Sequence, residues 1–324
     1  MKKLLKAFVL MTLFLLSSSI IYGTPSTCIN ISIDRDGILL QGKFYIADGK
    51  GPFATVLLLQ GFPGNNKDVL GLGNEMSAAG INALTFNYSG THQSQGTFNL
   101  ENSLKDISAT FEFINQPETV KKFQIDNTRI YLAGYSYGGA MAMTYVATHP
   151  EIRRVISIAG NDHGAFMEAY NHNPKMRQMI DEMFIRFAPP TGNIRFAPGG
   201  TPREMAEMKI VESNSAHDLR KSVNLLADKD ILLIAGWDDH NVSLDYIILP
   251  LYRTLQKAGA KNVKITAFQD GHSFRNSRDK LARLIIKWII DQHSPPSGLQ
   301  SPKSGSTSGS TERRSSSSWF NIQS

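Results

Sequence analysis

Leu132-Ala133-Gly134-Tyr135-Ser136-Tyr137-Gly138-Gly139-Ala140 sits between a short apolar run, residues 129–133, and a segment of helical composition that stops before Pro150. A Gly-x-Ser-x-Gly pentapeptide alone arises often by chance. With a strand before it and a helix after it, the same pentapeptide reads as a nucleophile elbow, a strained turn that holds the serine hydroxyl proud of a sheet. Gly134 and Gly138 would then lack side chains because neighbouring backbone must come close. The following helix would aim the positive end of its dipole at charge developing beside the serine. A glycine-rich strand-to-helix turn with an incidental serine is the other reading of these nine residues.

Outward from the elbow, the chain alternates between two kinds of segment. Residues 29–33 carry isoleucine at every second position, and residues 38–46 follow as a second strand-like run, an antiparallel pair around Asp36-Gly37. Six more runs, 54–59, 81–86, 129–133, 155–159, 231–235 and 263–268, are β-branched or leucine-rich, as strands buried on both faces are. Helical spacing recurs between them: Leu104, Ile107, Phe111 and Ile114 share one face, as do Leu281, Leu284, Ile285 and Trp288. This predicts an α/β fold with a mostly parallel, eight-stranded sheet flanked by helices. The alternation breaks once, over residues 161–229, a gap too long for a single crossover helix. Met176, Met179, Met183 and Phe187 keep helical spacing there, prolines and glycines between 189 and 202 interrupt it, and a second helix is expected around 204–209. The gap therefore reads as a helical insertion, or cap, between strands 6 and 7. Six of the eleven methionines fall within it. Methionine adapts to irregular apolar shapes, so these residues either face a substrate or pack the insertion onto the main domain.

In this setting Gly134-Tyr135-Ser136-Tyr137-Gly138-Gly139 resembles the serine motif of the α/β-hydrolases, in particular prolyl-oligopeptidase-like members and dienelactone-hydrolase-like esterases, over about residues 38–290. The resemblance implies the α/β-hydrolase fold and the chain order serine, acid, histidine. His272, in Gln269-Asp270-Gly271-His272-Ser273-Phe274, follows the last strand and precedes the last helix, where a general base is needed. The strand 231–235 runs into Gly236-Trp237-Asp238-Asp239; the family places its acid three residues after this glycine, at Asp239, with Asp238 as the alternative. Attack on a carbonyl creates an oxyanion that needs N–H donors. The resemblance implies the backbone amides of Tyr137 and of Phe62, the latter in Gln60-Gly61-Phe62-Pro63-Gly64, which is similar to a family loop with histidine at the first position. Gln60 leaves the backbone donor in place and puts the bracing of the loop in question. The segment from Asn87 to Gly96 resembles a loop that usually carries an arginine; here it has none, and the loop reads as structural, with contact of Tyr88 or His92 with substrate as the alternative.

Composition narrows the class further. Lys2, Lys3 and Lys6 precede an apolar run, residues 7–21, and then Gly23, the grammar of a signal peptide over residues 1–23 and of a secreted or envelope-facing protein. Uncleaved, the same segment would be a membrane anchor. Loss of its three lysines would take the formal charge from +6 to +3. No Lys/Arg cluster is interleaved with aromatics, so no nucleic-acid surface is expected. Cys28 is the only cysteine, which excludes an intrachain disulfide and a Cys-based zinc site. No metal motif or phosphate-cradling loop is present, so neither metal nor cofactor is expected. The catalytic domain is expected over residues 28–293, and residues 294–324, rich in Ser, Gly and Thr, read as a disordered tail. The function these features favour is hydrolysis of a small-molecule carboxylic ester through an acyl-enzyme. A short peptide is the alternative substrate, disfavoured because N-terminal propeller repeats are missing. A non-catalytic binding protein on the same scaffold is the reading from a different class.

Overall fold

Isoleucines at 29, 31 and 33 and the Asp36-Gly37 turn build the first hairpin: β1 (Thr27–Arg35) pairs antiparallel with β2 (Ile38–Ile46), Arg35 opposite Ile38. Asp36 at φ 54° and Gly37 at φ 83° both take the left-handed conformation that a two-residue hairpin turn favours. The computed structural model describes residues 27–292, so the expected leader and tail lie outside the described residues.

Six strands continue the sheet: β3 (Phe53–Leu59), β4 (Asn82–Phe86), β5 (Ile125–Tyr135), β6 (Arg154–Ile158), β7 (Asp230–Gly236) and β8 (Val263–Phe268). Their order across the sheet is β1-β2-β4-β3-β5-β6-β7-β8, and β2 alone runs against the rest. Every residue of β3 and β4 is buried, which matches their lack of apolar–polar alternation.

In chain order, α1 (Leu72–Ala78), α2 (Leu100–Asn115), α3 (Pro117–Phe123) and α4 (Tyr137–Thr148) come before β6. Five helices follow between β6 and β7: α5 (His163–His172), α6 (Pro174–Phe187), α7 (Pro202–Glu207), α8 (Ile210–Ser213) and α9 (Val223–Leu226). Then come α10 (Leu249–Lys257) and α11 (Arg278–Asp291), whose Leu281 and Ile285 are buried. The last described residues, 287–292, belong to a separate small unit, in which Lys287 pairs with Asp291 at 2.9 Å. No helix among the described residues is long and apolar enough to cross a membrane.

Polar residues in the sequence cap the starts of three of the insertion's helices. Asp162 accepts from the Gly164 and Ala165 amides ahead of α5, Asn173 accepts from Met176 ahead of α6, and Thr201 with Glu204 forms a reciprocal capping box around Pro202. After α6 the insertion is tied down at residues 195–197. The Phe98 amide donates to Arg195 at 2.7 Å, Ala197 to Phe98 at 3.0 Å and Arg195 to Gly90 at 2.9 Å. A Cβ on Gly90, at φ 78°, would lie 2.4 Å from the Phe98 nitrogen, so this approach requires glycine. An arginine thus does reach the loop after β4, although from the insertion: the Arg195 guanidinium donates to the carbonyls of Gly96, at 3.2 Å, and Ser94.

Candidate active site

Ser136 is the single residue between β5 and α4, at φ 55° and ψ −118°. Such a conformation costs a serine about 1–3 kcal/mol, which surrounding structure must offset. Its amide donates to Ile158 at 2.8 Å, and its carbonyl accepts from Gly139 at 2.9 Å and Ala140 at 3.2 Å. The turn closes so tightly that a Cβ on Gly134 would lie 2.1 Å from the Gly138 carbonyl oxygen, and one on Gly138 2.5 Å from that of Gln60. Both positions therefore demand glycine.

The loop after β8 carries His272 back over this turn. Asp270 shapes the loop, its carboxylate accepting from the Gly271 amide at 2.9 Å and the Asn276 amide at 2.8 Å. Burial by itself would raise the Asp270 pKa; hydrogen bonds from Ser277, Asn276 and Gly271 outweigh it and hold the carboxyl below its ordinary value. His272 Nδ1 lies 2.8 Å from Asp239 Oδ2, and Nε2 lies 3.0 Å from Ser136 Oγ. An ionised carboxylate only accepts, so a neutral His272 carries its proton on Nδ1 and offers a bare Nε2 to the serine hydroxyl.

Both aspartates considered at the end of β7 are in reach of this region, and their surroundings differ. Asp239 is buried, and its Oδ1 accepts from the amides of Asn241 at 2.8 Å and Val242 at 2.9 Å, leaving Oδ2 for His272. Asp238 is exposed and accepts from Gln269 at 2.9 Å.

The loop after β3 abuts the serine: a Cβ on Gly61 would lie 3.3 Å from Ser136 Cβ. Among the described residues, neither the Phe62 amide nor the Tyr137 amide donates to a protein acceptor. For Tyr137 that follows from its place as first residue of α4. Gln60 does brace this loop, its side-chain amide donating to the carbonyls of Lys67 at 3.1 Å and Asn65 at 3.3 Å. The Tyr137 side chain is fixed from below by donating to Ser103 at 2.9 Å, and burial pushes its hydroxyl well above the ordinary tyrosine value.

A cavity of about 750 Å³ opens beside Ser136 and His272. Of the six methionines in the insertion, Met167, Met176, Met179, Met183 and Met205 line it, while Met208 does not. No Asp or Glu is among the lining residues. Tyr88 and His92 are not among them either; Tyr88 lies buried, packed edge-on to Tyr137 at 5.4 Å. Another hollow of about 710 Å³, lined by Phe111, Tyr145 and His149 among others, contains none of these groups. No three His, Cys, Asp or Glu side chains converge as metal ligands among the described residues.

Sequence reasoning overlooked His163, the first residue of α5, which lines the cavity and is buried. Burial, then the neighbouring His217, lower its pKa to about 3, so it is neutral at ordinary pH. Its ring lies 5.5 Å from that of Tyr137. The available signal was Asp162-His163 directly after the sixth strand, a helix start aimed at the strand ends.

Residues 54–197 match the family model described as the alpha/beta hydrolase fold. The proline iminopeptidase of Saccharolobus solfataricus is 26% identical over 152 residues, 45% of this chain and 44% of that protein, so the chain spans under half the length of this curated relative. Among solved structures, Est1E from Butyrivibrio proteoclasticus with ferulic acid bound matches at TM-score 0.58 and 17% identity, over 81% of this chain and 98% of that one. The Pyrococcus horikoshii acylaminoacyl peptidase matches at TM-score 0.58 and 18% identity, over 86% of this chain and 44% of that one. At such identities the likeness is one of fold.

Proposed function

We propose that this chain, which has the α/β-hydrolase fold, is a serine hydrolase that cleaves a carboxylic ester with an apolar acyl group through an acyl-enzyme. The observation that carries the reading is the series Ser136, His272, Asp239, joined at 3.0 Å and 2.8 Å. Ser136 Oγ attacks the ester carbonyl as His272 Nε2 takes its proton, and Asp239 holds the tautomer and stabilises the imidazolium. The Phe62 and Tyr137 amides receive the oxyanion, each worth ~3 kcal/mol in the transition state. The intermediate collapses as His272 hands the proton to the departing alkoxide, and water then repeats the sequence to release the acid.

Two features of the cavity support an ester over a peptide. Its lining holds five methionines, and no acidic side chain there would pair with a free peptide amino group. The similarity to an iminopeptidase favours the peptide reading instead. Hydrolysis of p-nitrophenyl esters against aminoacyl p-nitroanilides separates them: a preference for the esters is expected, and a strong preference for the anilides would overturn the ester reading. The enzyme reading is tested by fluorophosphonate labelling. Wild-type protein should be labelled and Ser136→Ala should not; a binding protein on this scaffold would leave both unlabelled. The leader Lys2-Lys3 to Gly23 supports export of the enzyme, checked by N-terminal sequencing of the mature protein.

A further inference from the structure

The ring of Phe62 is held by residues from outside its own loop. It stacks on Phe184 of α6, with centroids 5.1 Å apart and planes within 7°. Phe187, one turn along α6, meets it edge-on at 5.4 Å, and Phe98 packs on it at 5.0 Å. Phe184 is itself wedged between Phe187, at 6.0 Å, and Phe196, at 5.6 Å, and residues 195–197 are tied by backbone hydrogen bonds to Phe98 and Gly90. The residue whose amide is the proposed second oxyanion donor is thus gripped, through its ring, by the longest helix of the insertion. Aromatic pairs in these stacked and edge-on arrangements are directional, so they fix the orientation of the ring as well as its depth. Within the loop, Phe62 is preceded by Gly61, which has no side chain to hold it, and followed by Pro63 and by Gly64 at φ 84°. Donors of this kind act only when held in place, and a displacement of about 1 Å can cost about a hundredfold in rate.

We infer that Phe184 is a positioning residue: α6 sets the second oxyanion donor through the Phe62–Phe184 stack, so the insertion governs the rate of bond making as well as which acyl groups fit. This rests on the roles proposed above for Ser136 and Phe62. An acetyl group is too short to draw on the methionine-lined cavity, so p-nitrophenyl acetate reports the oxyanion site with little contribution from acyl binding.

The test is Phe184→Ala, with Phe184→Leu as a second variant that keeps most of the volume and loses the stack. Phe184→Tyr is the conservative rescue. Ile185→Ala, on the same helix at a residue 70% exposed, is the control. With p-nitrophenyl acetate, both Phe184→Ala and Phe184→Leu should lower kcat by about ten- to a hundredfold with KM close to wild type. The rate of fluorophosphonate labelling should fall in parallel, Phe184→Tyr should restore most of both, and Ile185→Ala should match wild type. If Phe184→Leu folds with a wild-type melting temperature and keeps the wild-type kcat on acetate, raising KM for long-chain esters alone, α6 is only a wall of the binding cavity and the inference fails while Ser136 keeps its role. Should wild-type protein resist labelling altogether, the proposed function falls, and this inference with it.

Discussion

Asp238 and Asp239 are neighbours in the chain with opposite environments. The exposed Asp238 binds a surface glutamine, whereas the buried Asp239 spends one oxygen on two backbone amides and gives the other to His272. Asp239→Asn should lower kcat by about 10⁴-fold, because a neutral amide no longer enforces the tautomer that leaves Nε2 bare. Asp238→Asn should leave kcat and KM near wild type; steady-state kinetics on one chromogenic ester checks both. The motif grammar led to Ser136 and His272, since each stands at a strand-to-helix junction where its residue type is needed. It favoured Asp239 over Asp238 only by the spacing from Gly236 that the family resemblance implies, because the groups that distinguish their surroundings are the Asn241 and Val242 amides, whose direction depends on the turn after β7. His163 escaped for a related reason: a histidine's burial comes from the elements packed over it, and local sequence does not record that.

Among the elements, the eight strands were legible because burial on both faces leaves uninterrupted apolar runs. Their ends were less so: β5 begins at Ile125, four residues before its apolar run, and the polar Asp126, Asn127 and Thr128 fall in an irregular stretch between the paired residues Ile125 and Ile130. The insertion was legible as helical in α6, where a 14-residue periodic pattern is present. It was not legible in α8 and α9, which are four residues each and too short for propensity to decide without packing. The loop after β3 shows how an element is secured by a residue other than the histidine that the sequence resemblance implies at position 60. Gln60 spans the loop to Asn65 and Lys67, so Gln60→Ala should lower kcat by about tenfold, less than the 10²–10³ expected on losing a donor outright. Unchanged kcat on p-nitrophenyl acetate would show that the Phe62 stack alone suffices to hold the loop.

For the molecule as a whole, the insertion closes one side of the cavity and leaves a neutral histidine buried within the fold. The ordinary histidine value is 6.5, and burial holds His163 at about 3. Between these values the unfolded chain binds a proton that the folded chain does not. His163 therefore contributes stability that is fully present above pH 6.5 and is lost as pH falls toward 3, at up to about 1.4 kcal/mol per pH unit. Asp106 acts in the opposite sense. Burial raises its carboxyl from 3.8 to about 6 against the lowering effects of Ser89 and Arg35, so its contribution falls as pH rises across that interval. Comparing wild type with His163→Phe by denaturant titration from pH 4 to 8 isolates the histidine: the variant should lose less stability on acidification. Parallel pH curves for the two proteins would mean that His163 is not held neutral in the fold.

The central claim is that Ser136 becomes acylated, and trapping the intermediate tests it most directly. Wild-type protein mixed with excess p-nitrophenyl ester, quenched in acid within the first turnover and digested, should carry the acyl mass on the peptide that contains Ser136. Ser136→Ala should carry none. An acyl group on another residue, or turnover by Ser136→Ala at the wild-type rate, would contradict the account.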